Sequence, residues 1–206
     1  DAGIIMVKLR QASERIRNYY LIEEGAPAYQ SNDILTGINY LLEVAFVLNQ
    51  PLVICIGVGN NLGAHNGSDI IEIFLEELSV APNIINVIAA GNEASSGHHY
   101  RGAVALGGSE AIEITVGENE SGFIMFLWAA SVNRLSISIK SPLGQVIERV
   151  PIISQQNQNY RFNLEKTILT VRYIYPDPLS GSEEIVIRLQ APTPGIWTLT
   201  VYGETV

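Results

Sequence analysis

Apolar positions follow two different rhythms along the 206-residue chain, one in each half. Gly3–Leu9 (GIIMVKL) is a short, apolar, β-branched run and reads as a strand rather than a leader segment. A polar stretch rich in Arg, Glu and Tyr follows and reads as a loop. Ser31, Asn32 and Asp33 then offer side-chain oxygens for the orphan N–H groups of a helix start. Behind them Ile34, Ile38, Leu41, Leu42 and Ala45 recur at helical spacing, and Pro51 stops the helix. A second apolar run, Leu52–Val58, leads into a glycine-rich turn, Gly57–Gly67. Ser68 and Asp69 cap a further amphipathic segment, Ile70–Leu78, with Ile71, Phe74, Leu75 and Leu78 on one face. Ile84–Ala90 is the third continuous apolar run. Strands apolar on both faces and separated by helices predict a parallel sheet covered on both sides.

From His98 onward the period changes to two. Ile112–Val116, Phe123–Leu127, Leu135–Ile139, Ile168–Tyr175, Ile185–Leu189 and Trp197–Tyr202 are short alternating runs. Turn residues separate them at Ser141-Pro142-Leu143-Gly144, Asp177–Gly181 and Pro192–Gly195. This pattern predicts an antiparallel sandwich or jelly roll. The expected division is therefore an α/β domain over 1–97 and an all-β domain over 98–206.

Composition narrows the partners. Apolar residues make up 47% and charged residues 16%, which excludes a disordered, solvating chain. The net charge of −9 argues against nucleic acid and anionic membrane as partners. The acid sits mainly on the first half: residues 1–97 carry 11 acids and 4 bases, residues 98–206 carry 10 and 8. Cys55, the sole cysteine, lies in an apolar run and is expected to be a buried thiol.

Chemistry concentrates in Val87-Ile-Ala-Ala-Gly-Asn-Glu93. A buried strand ends in small residues and delivers Asn92 at its carboxyl end, where open parallel sheets bind ligands. An Asn carboxamide there can donate to a developing oxyanion; taken alone, a Gly-Asn pair could equally be a turn. The string resembles the oxyanion segment of the subtilisin-like serine proteases (subtilases), and Pro51–Gly59 resembles the preceding strand of that family. The similarity spans roughly residues 1–97. It is nearest to the clostridial Csp-like spore-germination subtilases, which have a long polar loop like Leu9–Gln30, a stretch like Gly59–Gly67 and a His-His-Tyr like His98-His99-Tyr100.

The resemblance implies a subtilase-like parallel-sheet fragment followed by a jelly-roll insertion. It assigns Asn92 to the oxyanion hole. Ala89, Ala90 and Gly91 would form one wall of the S1 pocket, and Ile56, Gly57, Val58 and Gly59 the other. The substrate would be a polypeptide. No cofactor and no metal site is assigned; the acidic and Asn-rich loops leave calcium open, although no segment has a calcium-loop spacing. The family's Asp and His segments would lie before residue 1 and its Ser segment after Val206, so the remaining catalytic-domain segments would be partners of this chain. Alone it would be inactive. Since some Csp-like relatives have lost triad residues, a pseudoprotease serving as a binding or scaffold protein in spore germination is the alternative. The resemblance implies a bacterial, spore-associated or secreted setting.

The other constellations read as structural. His65 and Asp69 fit a solvated turn beside a helix cap, and His98 and Tyr100 a packed or interface role. Adjacent His98 and His99 diverge, with no carboxylate cluster to complete a metal site. Tyr19 and Tyr20 suit a loop that packs on a partner segment, and Trp128 and Trp197 suit the core.

Overall fold

The computed structural model describes residues 2–130 and 132–204, so the outermost positions of the two expected domains lie outside the described residues. The chain divides into two compact units, Asp1–His99 and Tyr100–Val206.

In the first unit, residues 2–9 form no hydrogen-bonded strand, contrary to the reading of Gly3–Leu9. The alternation survives, with Ile5, Val7 and Leu9 half-buried between exposed neighbours. A strand needs a paired neighbour as well as a pattern, and this segment lies against helix α2 instead. A Cβ on Gly37 of that helix would come within 3.0 Å of the Val7 side chain. The polar stretch also holds a helix, α1 (Glu14–Tyr20), that its composition did not announce. It buries no residue, and local bonds hold it: Arg17 donates to the carbonyls of Ala26 and Glu23 at 2.7 Å, and Leu21 ends it in the left-handed region. Ala12 N–H to Ala28 carbonyl (2.8 Å) closes the base of the loop.

Helix α2 spans Ser31–Leu48 and α3 spans Ile70–Ser79. The Ser31–Asp33 cap is not used: Gln30 occupies the cap position of α2, with no side-chain bond. The α3 cap is used in full, as Asp69 accepts from Ile71 N–H at 2.9 Å and Glu72 accepts from Asp69 N–H at 3.0 Å. That reciprocal arrangement satisfies orphan donors at both positions. Strands β1 (Leu52–Ile56) and β2 (Ile84–Ile88) pair in parallel, with Leu52 opposite Ile84 and Ile56 opposite Ile88. Ile38, Ile54 and Leu75 form the buried centre, flanked by Ile34, Leu41, Leu42, Ile71, Phe74 and Leu78.

The sheet differs from expectation in one respect. Among the described residues it has two strands, and helices cover one face only. The opposite face exposes Val53 (62%), Ile85 (60%) and Val87 (47%). Cys55 lies on that face and is exposed, which corrects its assignment as a buried thiol. A continuous apolar run records that a strand could be buried on both sides; it cannot record whether both layers are present. This unit does not by itself make up a parallel-sheet protease core.

The second unit is a sandwich of two antiparallel four-stranded sheets. One sheet has the order β3 (Ser109–Val116), β10 (Gly195–Gly203), β5 (Leu135–Lys140) and β6 (Val146–Ile147). The other has β4 (Gly122–Ala129), β9 (Glu183–Gln190), β8 (Ile168–Ile174) and β7 (Asn157–Arg161). The pairings β3–β10 and β4–β9 bring the first and last strands together, whereas β5–β6 and β7–β8–β9 are sequential neighbours. The six alternating runs all become strands. β6 and β7 were missed, one because it has two residues and the other because Asn-Gln-Asn-Tyr-Arg carries no apolar alternation. Ile137, Leu169, Val171, Tyr173, Ile185, Ile187, Leu189 and Trp197 fill the core. Trp128 does not join them: it alternates with Phe123, Met125 and Leu127, which pack inward, and is only half-buried. Among the described residues, no helix is long and apolar enough to cross a membrane.

Candidate functional site

Parallel pairing in register sends both strands of the first unit out at the same end. Ile56 lies opposite Ile88, and the next residue, Ala89, donates its N–H to the Ile56 carbonyl at 3.0 Å. Gly57–Gly59 and Ala89–Asn92 therefore leave the sheet side by side. Both candidate walls and Asn92 are brought to the carboxyl edge of one sheet, where strand ends leave backbone groups available to a ligand.

The Ala89–Gly91 wall is open. Ala89, Ala90, Gly91 and Asn92 are exposed, as are Gly57 and Gly59, while Ile56 and Val58 are half-buried. Gly91 sits at φ +86°, a conformation that side chains other than glycine rarely adopt. This bend lies three residues past the end of β2, immediately before Asn92.

Each loop is fastened by short-range contacts. Beyond Gly59, Asn60 Oδ1 accepts from Leu62 N–H (2.7 Å), and Asn66 Oδ1 accepts from Ser68 N–H (3.1 Å). The loop then enters the Asp69 cap of α3. Beyond Asn92, Ser96 N–H donates to the Glu93 carbonyl at 2.8 Å, and Glu93 Oε2 lies 2.5 Å from His98 Nδ1. The rings of His65 and His99 meet edge to face, with centroids 5.6 Å apart. The reading of His65 beside a helix cap holds, but its contact with His99 was not foreseen. The only sequence signal for either contact was a pair of adjacent histidines five and six residues after an acid.

Among the described residues, no group of three His, Cys, Asp or Glu is arranged to hold a metal ion. In the second unit the notable ionisable groups are structural. Glu183 is fully buried in the sandwich, and burial raises its pKa, although Leu135 N–H donates to it at 2.7 Å and Arg134 opposes the rise. Glu184 is pushed up to about 7 by burial and by Asp177, with Arg172 pulling the other way. Tyr100 donates a short hydrogen bond to Glu110, which raises the pKa of its hydroxyl.

No protein-family model matches the sequence, and no curated protein does either. Among solved structures, the fold is similar to that of the Clostridium perfringens CspB protease, with a TM-score of 0.74 and 24% sequence identity. The match covers 88% of this chain and 39% of that one, so this chain has the fold of part of a clostridial protease.

Proposed function

We propose that this chain is the portion of a subtilisin-like serine endopeptidase that supplies the oxyanion donor and the walls of the S1 pocket. The supporting observation is the common exit of Gly57–Gly59 and Ala89–Asn92 from paired strand ends, in a fold shared with part of a protease. An extended peptide would bind as an added strand along Gly57–Gly59. Its P1 side chain would enter between Ile56–Gly59 and Ala89–Gly91. The Asn92 carboxamide would donate to the oxygen of the tetrahedral intermediate, a charge that exists fully only after attack.

The nucleophile, the base that takes its proton and the acid that orients the base must act as one contacting set. In this reading they belong to segments outside this chain, and the sandwich is an inserted domain with a structural role. The chain alone would not turn over substrate.

The test has two arms. The isolated chain should release no product from an activated peptide ester; turnover would show that it holds a nucleophile of its own. Joined to its natural flanking segments, it should hydrolyse the ester, and Asn92→Ala should lower kcat by about 10²–10³, the loss known for this donor in subtilisin. An unchanged kcat in that variant refutes the assignment of Asn92. Peptide binding without any hydrolysis by the joined protein would favour the pseudoprotease reading over the endopeptidase.

A further inference from the structure

The adjacent histidines at the end of the first unit touch two different partners. His98 pairs with Glu93, one residue beyond Asn92, and His99 packs edge to face on His65 in the loop that follows β1. From these contacts we infer that His98 and His99 form a clamp that positions Asn92 against the opposite wall. This rests on the preceding reading only for the role of Asn92; the clamp itself is a property of the two loops.

Three residues past the end of β2, Gly91 bends the chain at φ +86°, and Gly97 bends it again at φ +67°. Two such residues around a five-residue turn leave the backbone much freedom, since glycine has the largest conformational entropy to lose. The Ser96–Glu93 backbone bond defines the turn, and the Glu93–His98 contact at 2.5 Å spans its base. Asn92 lies directly at that base. The clamp therefore fixes the direction in which Asn92 leaves the Gly91 bend, without His98 or Glu93 touching a substrate.

His99 carries the connection to the loop that follows β1. His65 sits in the left-handed region at φ 52°, and the Asn66 turn follows it directly, leading into the capping box of α3. The second loop is thus anchored to a helix terminus. The edge-to-face contact fastens the Asn92 loop to that anchor. Two walls that each leave the sheet as exposed, glycine-containing chain become a pair with a set separation. His98 and His99 are positioning residues, and neighbouring positions suit the task because their side chains diverge.

The Glu93–His98 pair is solvent-exposed, with side-chain exposures of 56% and 63%, so its effect on global stability should be small. Its effect should be local and visible in the loop. The experiment uses the full chain labelled with nitrogen-15 and follows the Ser96 amide and the Asn92 carboxamide by nuclear magnetic resonance. His98→Gln and Glu93→Gln should each speed hydrogen exchange at Ser96 by about threefold, as expected for loss of an exposed pair. Each should also shift the Asn92 carboxamide signals, and the double variant should go no further than either single one. Exchanging the partners, Glu93→His with His98→Glu, should restore protection. His99→Ala should shift signals over residues 63–66, and His99→Phe, which keeps an aromatic edge, should restore them. Carboxamide signals that stay unmoved in both single variants, or strictly additive effects, overturn the clamp. The readout needs no catalysis: an inactive joined protein with an intact clamp counts against the protease reading alone.

Discussion

Removing the indole of Trp197 should cost the sandwich about 4 kcal/mol. Trp197 is 1% exposed and Phe162 is fully buried, and their rings meet at 4.9 Å and 89°. A Trp side chain buries roughly 200 Å². At about 25 cal/mol per Å² this sets an upper figure near 5 kcal/mol for the transfer alone. Core Trp→Ala and Phe→Ala changes cost about 3–5 kcal/mol once partial relaxation is included. The indole N–H also donates to the Thr193 carbonyl at 2.9 Å, tying the loop before β10 to its own strand. For a unit of this size, about 4 kcal/mol corresponds to a Tm lowered by roughly 15–20 °C. The assay is thermal and urea unfolding followed by tryptophan emission. Both tryptophans lie in the second unit, so Trp128 still reports on it after Trp197→Ala. Phe162→Ala should cost a similar amount, and a double-mutant cycle should return a coupling of about 0.5–1.5 kcal/mol for the edge-to-face pair. A loss below about 1 kcal/mol for Trp197→Ala would refute this account of the core, because a fully buried side chain of that size has no inexpensive replacement.

Two further outcomes follow from the structure. Cys55 on the uncovered sheet face should react with a soluble disulfide reagent in the folded chain at a rate within about tenfold of the unfolded chain, whereas a buried thiol would lag far behind. Glu184 has a folded pKa of about 7, raised by burial above the ordinary carboxyl value. Its neutral form is favoured by folding, so its stabilising contribution is complete below the unfolded pKa, about 4.5, and is lost as pH rises through about 7. The urea midpoint of the second unit should fall across that window and fall less in Glu184→Gln; identical profiles would contradict the shift.

Much of the fold was legible because it depends on local rules. Asp69 was legible as a cap of the helix that follows it, and the structure uses it so, with Glu72 completing a reciprocal pair that the sequence reading did not name. The faces of α2 and α3 could be read from Ile38, Leu41, Leu75 and Leu78, since helical period alone decides which residues share a side. In the second half, alternation located six strands and placed Trp197 inward. It could not place β7, where only Tyr160 packs on the core and the polar residues around it pair with β8.

What the sequence by itself determined was the type of the strongly patterned segments other than 3–9 and the end of the strand beyond which Asn92 lies. Only the tertiary structure decided partnership. The pattern in 3–9 had no paired strand, so it remained extended chain against α2. The apolar runs of β1 and β2 gained a layer on one face only, which left Cys55 exposed. Glu93 and His98, and likewise His65 and His99, were separate readings in the sequence and became contacts in space. The reason is physical: period and capping act within a few residues, whereas pairing, burial and loop-to-loop contact depend on segments far apart in the chain.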